Sequence, residues 1–319
     1  MKNTNYWLKI LGLTILSLIF IVLFLTYNTH GNWAFAFSLR GKKVATFIVV
    51  ALATSISTIS FQTLTGNQFL TPGILGLDNL YVFIQTILFF FVGGITMLSQ
   101  ESLLMFLANV VIMTTLSVFF LLYFLEKTTG NLFLLLMVGM VSGTLFSSLS
   151  TFMQVLMDPN EYDLLQGKLF ASFSNVNSQY LLVATLLIVL GSAYLWYVAP
   201  ELNVLLLGND QSINLGIQLA SFQTRALISI ILLTGVATAL VGPTIFFGFI
   251  VATTSYRLFD TYQHHRLFLG SFLVGILLLV SGQFLVEQIF HWRTTISIVI
   301  QFVGGVFFLL KIIAERRKS

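Results

Sequence analysis

Cysteine is absent from this chain, proline occurs four times, and charged residues make up only 8% of its 319 positions. Without cysteine there is no disulfide, no thiolate metal site and no iron–sulfur cluster of the chain's own. The shortage of charge excludes more. A soluble domain carries about 25% charged residues, so these residues cannot build a water-facing surface. What is present is hydrocarbon: 57% hydrophobic residues, 32 Phe, and long Ile- and Leu-rich runs. Most of the exterior is expected to face lipid. A pI near 9.3 and a net charge of +4 fit Lys and Arg that orient membrane helices better than a nucleic-acid surface.

Catalytic patterns are missing too. Gly167-Lys168 lacks the upstream Gly and the following hydroxyl of a phosphate loop, so the chain is not an ATPase by that route. His30, His264, His265 and His291 show no metal-ligand spacing, and no metal site is expected. His264-His265, beside Arg266, reads as a solvated loop pair. No span holds the paired carboxylates of acid–base catalysis. Asp78 and Glu287 come closest, and both lie near predicted span ends, where interfacial water would relieve them. An ion-coupled carrier needs such a group near the midplane, so its absence argues for energy supplied from outside the chain.

With about 20 apolar residues per crossing, ten spans are predicted near 8–27, 43–64, 75–97, 103–124, 132–156, 179–199, 223–241, 244–258, 267–286 and 295–313. The fold class is all-α, a single polytopic membrane domain over 1–319. The first run, Ile10 to Tyr27, exceeds a signal core, and the Ala34-Phe35-Ala36 triplet lies well beyond it, so it reads as a retained anchor. The eighth span follows Gly242-Pro243 and is expected to be broken or half-length. A cytoplasmic N-terminus puts ten Lys and Arg inside and five outside, obeying the positive-inside bias with both termini cytoplasmic. Three of the five exceptions, Arg40, Lys42 and Lys43, fall in one predicted outer loop. Small residues from Ala51 to Ser60, and the pair Gly139 and Gly143, predict close helix packing.

Three stretches resemble the iron-chelate and vitamin B12 permease family of ABC importers, and with the span pattern the likeness covers nearly the whole chain. The first is Leu39-Arg40-Gly41-Lys42-Lys43, then Gln62, Asn67, Pro72, Leu75 and Gly76 after the second span. It departs from the family's R-x-P-R at Lys42 and Lys43. The second runs from Leu202 to Ile217 and is similar to the family's L-x-L-G-x-x-x-A-x-x-L-G-V loop. The third, Gly242 to Arg266, is similar to its G-x-I-x-F-x-G-L-I-V-P segment and D-H-R turn, with Ala252 in place of the proline. Thr71 to Tyr81 and the stretch from Val286 to Ser297 are similar to the branch serving catecholate-type siderophores.

The resemblance implies a type II ABC importer permease in the bacterial cell membrane, moving a ferric siderophore. Its partners would be a second permease subunit, two ATP-binding subunits and an extracellular substrate-binding protein. The chain would hold no cofactor, ATP and magnesium being bound by the ATPase. Arg40, Lys42 and Lys43 would dock the binding protein. A cytoplasmic loop at about 200–222 would couple to the ATPase through Leu206, Gly208, Asn209, Asp210, Gln211, Ser212, Leu215 and Gly216. Gly208 and Gly216 would end its two short helices, with Asp210 or Ser212 capping the second. Gln62, Asn67, Pro72, Asp78, Asn79 and Gln85 are the pathway candidates, in a smooth cavity without a tight site. An ion-coupled secondary transporter, a corrinoid or other chelate permease, and a membrane-embedded enzyme are the alternatives.

Overall fold

Inside hydrocarbon a backbone must satisfy its own polar groups, which leaves the helix as the way across for runs like these. The computed structural model describes residues 2–28, 33–99, 102–127, 132–170, 173, 176–290 and 294–316, and among them the regular structure is helical. His30, His291, Arg293, Arg317 and Lys318 lie outside the described residues. In chain order the helices are α1 (Lys2–Thr26), α2 (Trp33–Thr65), α3 (Leu77–Val92), α4 (Gly94–Ser99), α5 (Leu103–Lys127), α6 (Leu132–Val155) and α7 (Pro159–Leu169). There follow α8 (Ser178–Tyr197), α9 (Ala199–Leu205), α10 (Asn209–Asn214), α11 (Leu219–Val241), α12 (Phe247–Leu258), α13 (His264–Gln288) and α14 (Ile296–Arg316).

Eight of these are long and apolar enough to cross a membrane. The bundle is layered. Of the apolar window of α2, 78% is buried, against 56% for α11, 50% for α13 and 17% for α1 and α5. The small residues of α2 explain its central place, because they let neighbours approach closely. A methyl group placed on Gly275 of α13 would lie 3.1 Å from the Cβ of Ala51.

The two remaining expected spans are short. The 12 residues of α12 match the half-length element expected after Gly242-Pro243. The third does not match its 75–97 expectation: α3 has 16 residues, or about 24 Å, against a hydrocarbon core of about 30 Å. Residues 66–76 turn back into the bundle, and the 3-10 turn Pro72–Leu75 wedges against the middle of α6. Gly139 and Gly143 make the room: a Cβ on either would come within 3.0 and 3.1 Å of the Cα atoms of Leu75 and Gly76. Helix α3 therefore starts within the protein and ends at Gly93, whose φ of 89° breaks the run before α4.

Two loop expectations also change. The cations Arg40, Lys42 and Lys43 lie within α2, which is 33 residues long and extends about 50 Å. The stretch before α8 carries α7, started by Asp158, whose carboxylate accepts the Asn160 N–H at 2.9 Å ahead of Pro159.

Candidate functional site

One end of the bundle gathers the start of α1, the ends of α2 and α12, the start of α13, and both short helices. The Lys9 ammonium donates to the last carbonyl of α12, Leu258 O, at 2.8 Å, and the Tyr6 hydroxyl donates to Arg266 O at 3.1 Å. Between α9 and α10, Gly208 takes φ 102°, and after α10 Gly216 takes φ 90°. The N–H of Gly216 donates to Ile213 O at 2.9 Å and that of Ile217 to Ser212 O at 3.0 Å, the paired closure that a left-handed glycine permits. The expected cap is corrected. Ser212 sits inside α10 with its hydroxyl donating to Gly208 O at 2.7 Å and Val204 O at 3.3 Å. Asp210 is exposed, and no side chain caps the helix.

Outward from that frame project Leu206, Leu207, Ile213 and Leu215, each about half exposed or more (49–63%). Asn209, Asp210 and Gln211 are exposed beside them. A leucine patch rimmed by polar groups suits a protein or membrane contact. Behind it sits His264, fully buried rather than solvated as its sequence context suggested. Asn203 Oδ1 of α9 accepts both the His264 backbone N–H, at 2.9 Å, and Nδ1–H, at 2.7 Å. With the proton on Nδ1, Nε2 accepts from the Thr63 hydroxyl of α2 at 2.8 Å. One imidazole thus ties α9 to α2 and α13.

The interior holds a cavity of about 380 Å³ where the two short spans begin. Its wall includes Thr54, Ser57 and Thr58 of α2, Thr234 and Thr238 of α11, Asp78 and Asn79 of α3, Pro72, and Phe246 ahead of α12. At one side Phe69, Phe249 and Phe308 pack with ring centroids 5.0–6.3 Å apart. The Asp78 carboxylate lies over Gly73 and accepts from the Thr238 hydroxyl at 3.4 Å. Asp78 stands in the first turn of α3, near the span end as expected, and faces the cavity. The fold-back of 66–76 carries it inward.

The other pathway candidates separate. Gln62 lines a second cavity of about 560 Å³ shared with His264, Gly208 and Asn209, and its amide donates to Gln68 O at 2.7 Å. Asn67 is exposed and folds its own turn, Oδ1 accepting the Phe69 N–H at 2.9 Å. Gln85 lines a third cavity with Tyr81, Asn109 and Lys168. Only Pro72, Asp78 and Asn79 of the six meet in the central cavity. Sequence reading takes Thr58 for packing and passes over Thr234 and Thr238, since a hydroxyl in an apolar run reads equally as packing.

At the opposite end the three cations differ. Arg40 donates to Phe24 O at 3.0 Å and Tyr27 O at 2.6 Å, closing the last turn of α1. Lys43 is buried against Glu287 Oε1 at 2.9 Å, an oxygen that also accepts from Gln283 at 2.9 Å. Glu287, next to last in α13, is 7% exposed, so Lys43 and Gln283 rather than water satisfy it. Lys42 points outward.

The FecCD transport family matches residues 8–314. The petrobactin import system permease protein YclO of Bacillus subtilis is 40% identical over 97% of this chain and 98% of its own length. The petrobactin import system permease protein FatC of Bacillus anthracis is 33% identical over 98% and 90%. A solved ABC transporter of metal-chelate type, captured facing inward, superposes with a TM-score of 0.80 at 22% identity over 96% of this chain and 99% of that one.

Proposed function

The chain belongs to the FecCD transport family, and from that premise we propose that it is the permease subunit of an ABC importer for ferric siderophores of the petrobactin kind. The observation that carries this reading is the leucine-faced pair α9 and α10, placed at the ends of α2, α12 and α13 and wired to α2 and α13 through His264. It supplies what a conduit without its own energy source needs: a docking face outside and a stiff joint to the spans inside. Two ATP-binding subunits, holding ATP and magnesium, dock there on the cytoplasmic side. A second permease completes the pathway, and a substrate-binding protein delivers the chelate at the end carrying Lys42. The transported chelate follows the names of the relatives at 40% and 33% identity.

Motion follows the same geometry. Closure of the ATPase pair displaces α9 and α10, and Asn203 carries the displacement through His264 to α2 and α13. The two-state permease is thereby switched between its outward and inward forms. The interior position of Asp78 removes the argument against ion coupling that rested on a missing buried carboxylate. Family membership and the coupling helices support the ATP-driven reading instead.

The test is reconstitution of the full complex in liposomes with radiolabelled ferric petrobactin. Uptake should require ATP, the ATPase and the binding protein together. Accumulation driven by a proton or sodium gradient through the permease alone would overturn the reading.

A further inference from the structure

An intramembrane carboxylate costs roughly 2.5–3.5 kcal/mol at a helix centre and persists where it has a partner or a task. Asp78 lines the central cavity, and its one side-chain donor among the described residues is the Thr238 hydroxyl. Its neighbours Thr58 and Thr54 stand 7 and 11 residues before the end of α2, about 10 and 16 Å along that helix. A carboxylate has about four acceptor sites, and here one hydroxyl reaches it, at 3.4 Å. Among the described residues lining the cavity there is no Lys, Arg or His.

The surrounding hydroxyls are short of partners as well. Thr58 is 1% exposed and its Oγ1 has no hydrogen-bond partner, nor does that of Thr234. Both line the same cavity as Asp78 and Thr238. Hydroxyl oxygens accept as readily as they donate, so one acid and several hydroxyls form a wall suited to a cation. Two of the aromatic rings on the far side hold a cation of the chain's own. The Lys311 ammonium already rests 4.6 Å from the centroid of Phe69 and 5.4 Å from that of Phe249, and both rings line the cavity.

Resting on the reading above, we propose that Asp78, with Thr58, Thr234 and Thr238, forms a subsite for a monovalent cationic group, an ammonium carried on an arm of the chelate. A volume of about 380 Å³ is at the small end for ligand pockets, so the subsite takes one arm rather than the whole complex. The pathway is then not uniformly smooth. It holds one charged foothold, and Asp78 is a specificity-determining residue.

Carbodiimide labelling of the assembled transporter in nanodiscs tests this, with adduct at Asp78 read by peptide mass spectrometry. Butylammonium chloride is expected to protect Asp78 while 1-butanol at the same concentration does not. Equal protection by sodium chloride overturns the ammonium assignment and gives the site to a free ion. Protection by neither salt overturns it. A second measurement compares uptake of an ammonium-bearing ferric chelate with that of its N-acetylated form. Asp78→Asn should lower that ratio by about tenfold, the scale of one charge-assisted hydrogen bond. An unchanged ratio overturns the proposal even where labelling succeeds. Loss of ATP-driven uptake of both chelates by the unaltered complex would instead count against the transporter reading and leave the labelling result standing.

Discussion

The two ends of the bundle dispose of their polar groups in opposite ways. Around α9 and α10 the buried groups are neutral: His264, Asn203 and Thr63 satisfy one another, and leucines face outward. At the far end the buried groups are charged, with Lys43 and Glu287 paired inside while Lys42 faces outward. A neutral hydrogen-bonded joint can shift as a unit, because moving it separates no charge. A buried ion pair resists motion, since separating it strands two charges in low dielectric. Under the proposed function, the first end would be the moving coupling, and the second is a clamp that holds α2 against α13.

Breaking the clamp should produce the largest effect. Glu287→Ala leaves the Lys43 ammonium buried without its carboxylate, and a loss of about 3–5 kcal/mol is expected. Detergent-solubilised unfolding monitored by circular dichroism would measure it. The double variant Lys43→Met, Glu287→Leu should recover to wild-type stability or above, because an apolar pair of similar volume avoids the desolvation cost. A double variant as unstable as the single one would show that the pair is not a clamp.

The coupling end should respond in affinity rather than stability. Leu215, 63% exposed, makes no core contact whose loss would unfold the chain. Leu215→Asp places a charge in the middle of the leucine face, and a loss of about 2 kcal/mol in ATPase binding is expected, roughly 30-fold in affinity. Titration of the ATPase onto permease nanodiscs would read it, with an unchanged melting curve as the control. If binding stays and melting drops, the face belongs to the fold and not to a partner.

Sequence reading reached the parts of this molecule that composition encodes locally. The apolar runs marked the spans, Gly242-Pro243 marked the short α12, and Gly139 with Gly143 marked a close approach. That approach is to the Leu75–Gly76 turn on which α3 begins. Depth was illegible. Gly66, Pro72, Gly73 and Gly76 spell an ordinary connector, and no hydropathy window separates a loop outside the membrane from one folded back within it. That Asp78 would line a cavity among α2, α3 and α11 could not be read from its place near a predicted span end. Pairing was illegible too: Lys43 and Glu287 stand 244 residues apart, and His264 meets Asn203 and Thr63 across 61 and 201. Such partners come together through packing, which a single sequence does not display.

The smallest effect belongs to Lys42, and it sharpens the contrast between cations that hold the fold and cations that meet a partner. Arg40 is committed to the carbonyls ending α1, and Lys43 to Glu287. The exposed Lys42 ammonium remains in water, where an acidic docking surface would meet it in high dielectric. Exposed pairs contribute about 0.2–1 kcal/mol, chiefly by steering association. Lys42→Glu should therefore slow binding-protein association several-fold at low salt. The effect should fade toward physiological ionic strength, where the Debye length falls to about 8 Å, with dissociation little changed. Surface plasmon resonance on immobilised nanodiscs at two salt concentrations separates these outcomes. A salt-independent loss of stability would move Lys42 to the clamp side of the comparison.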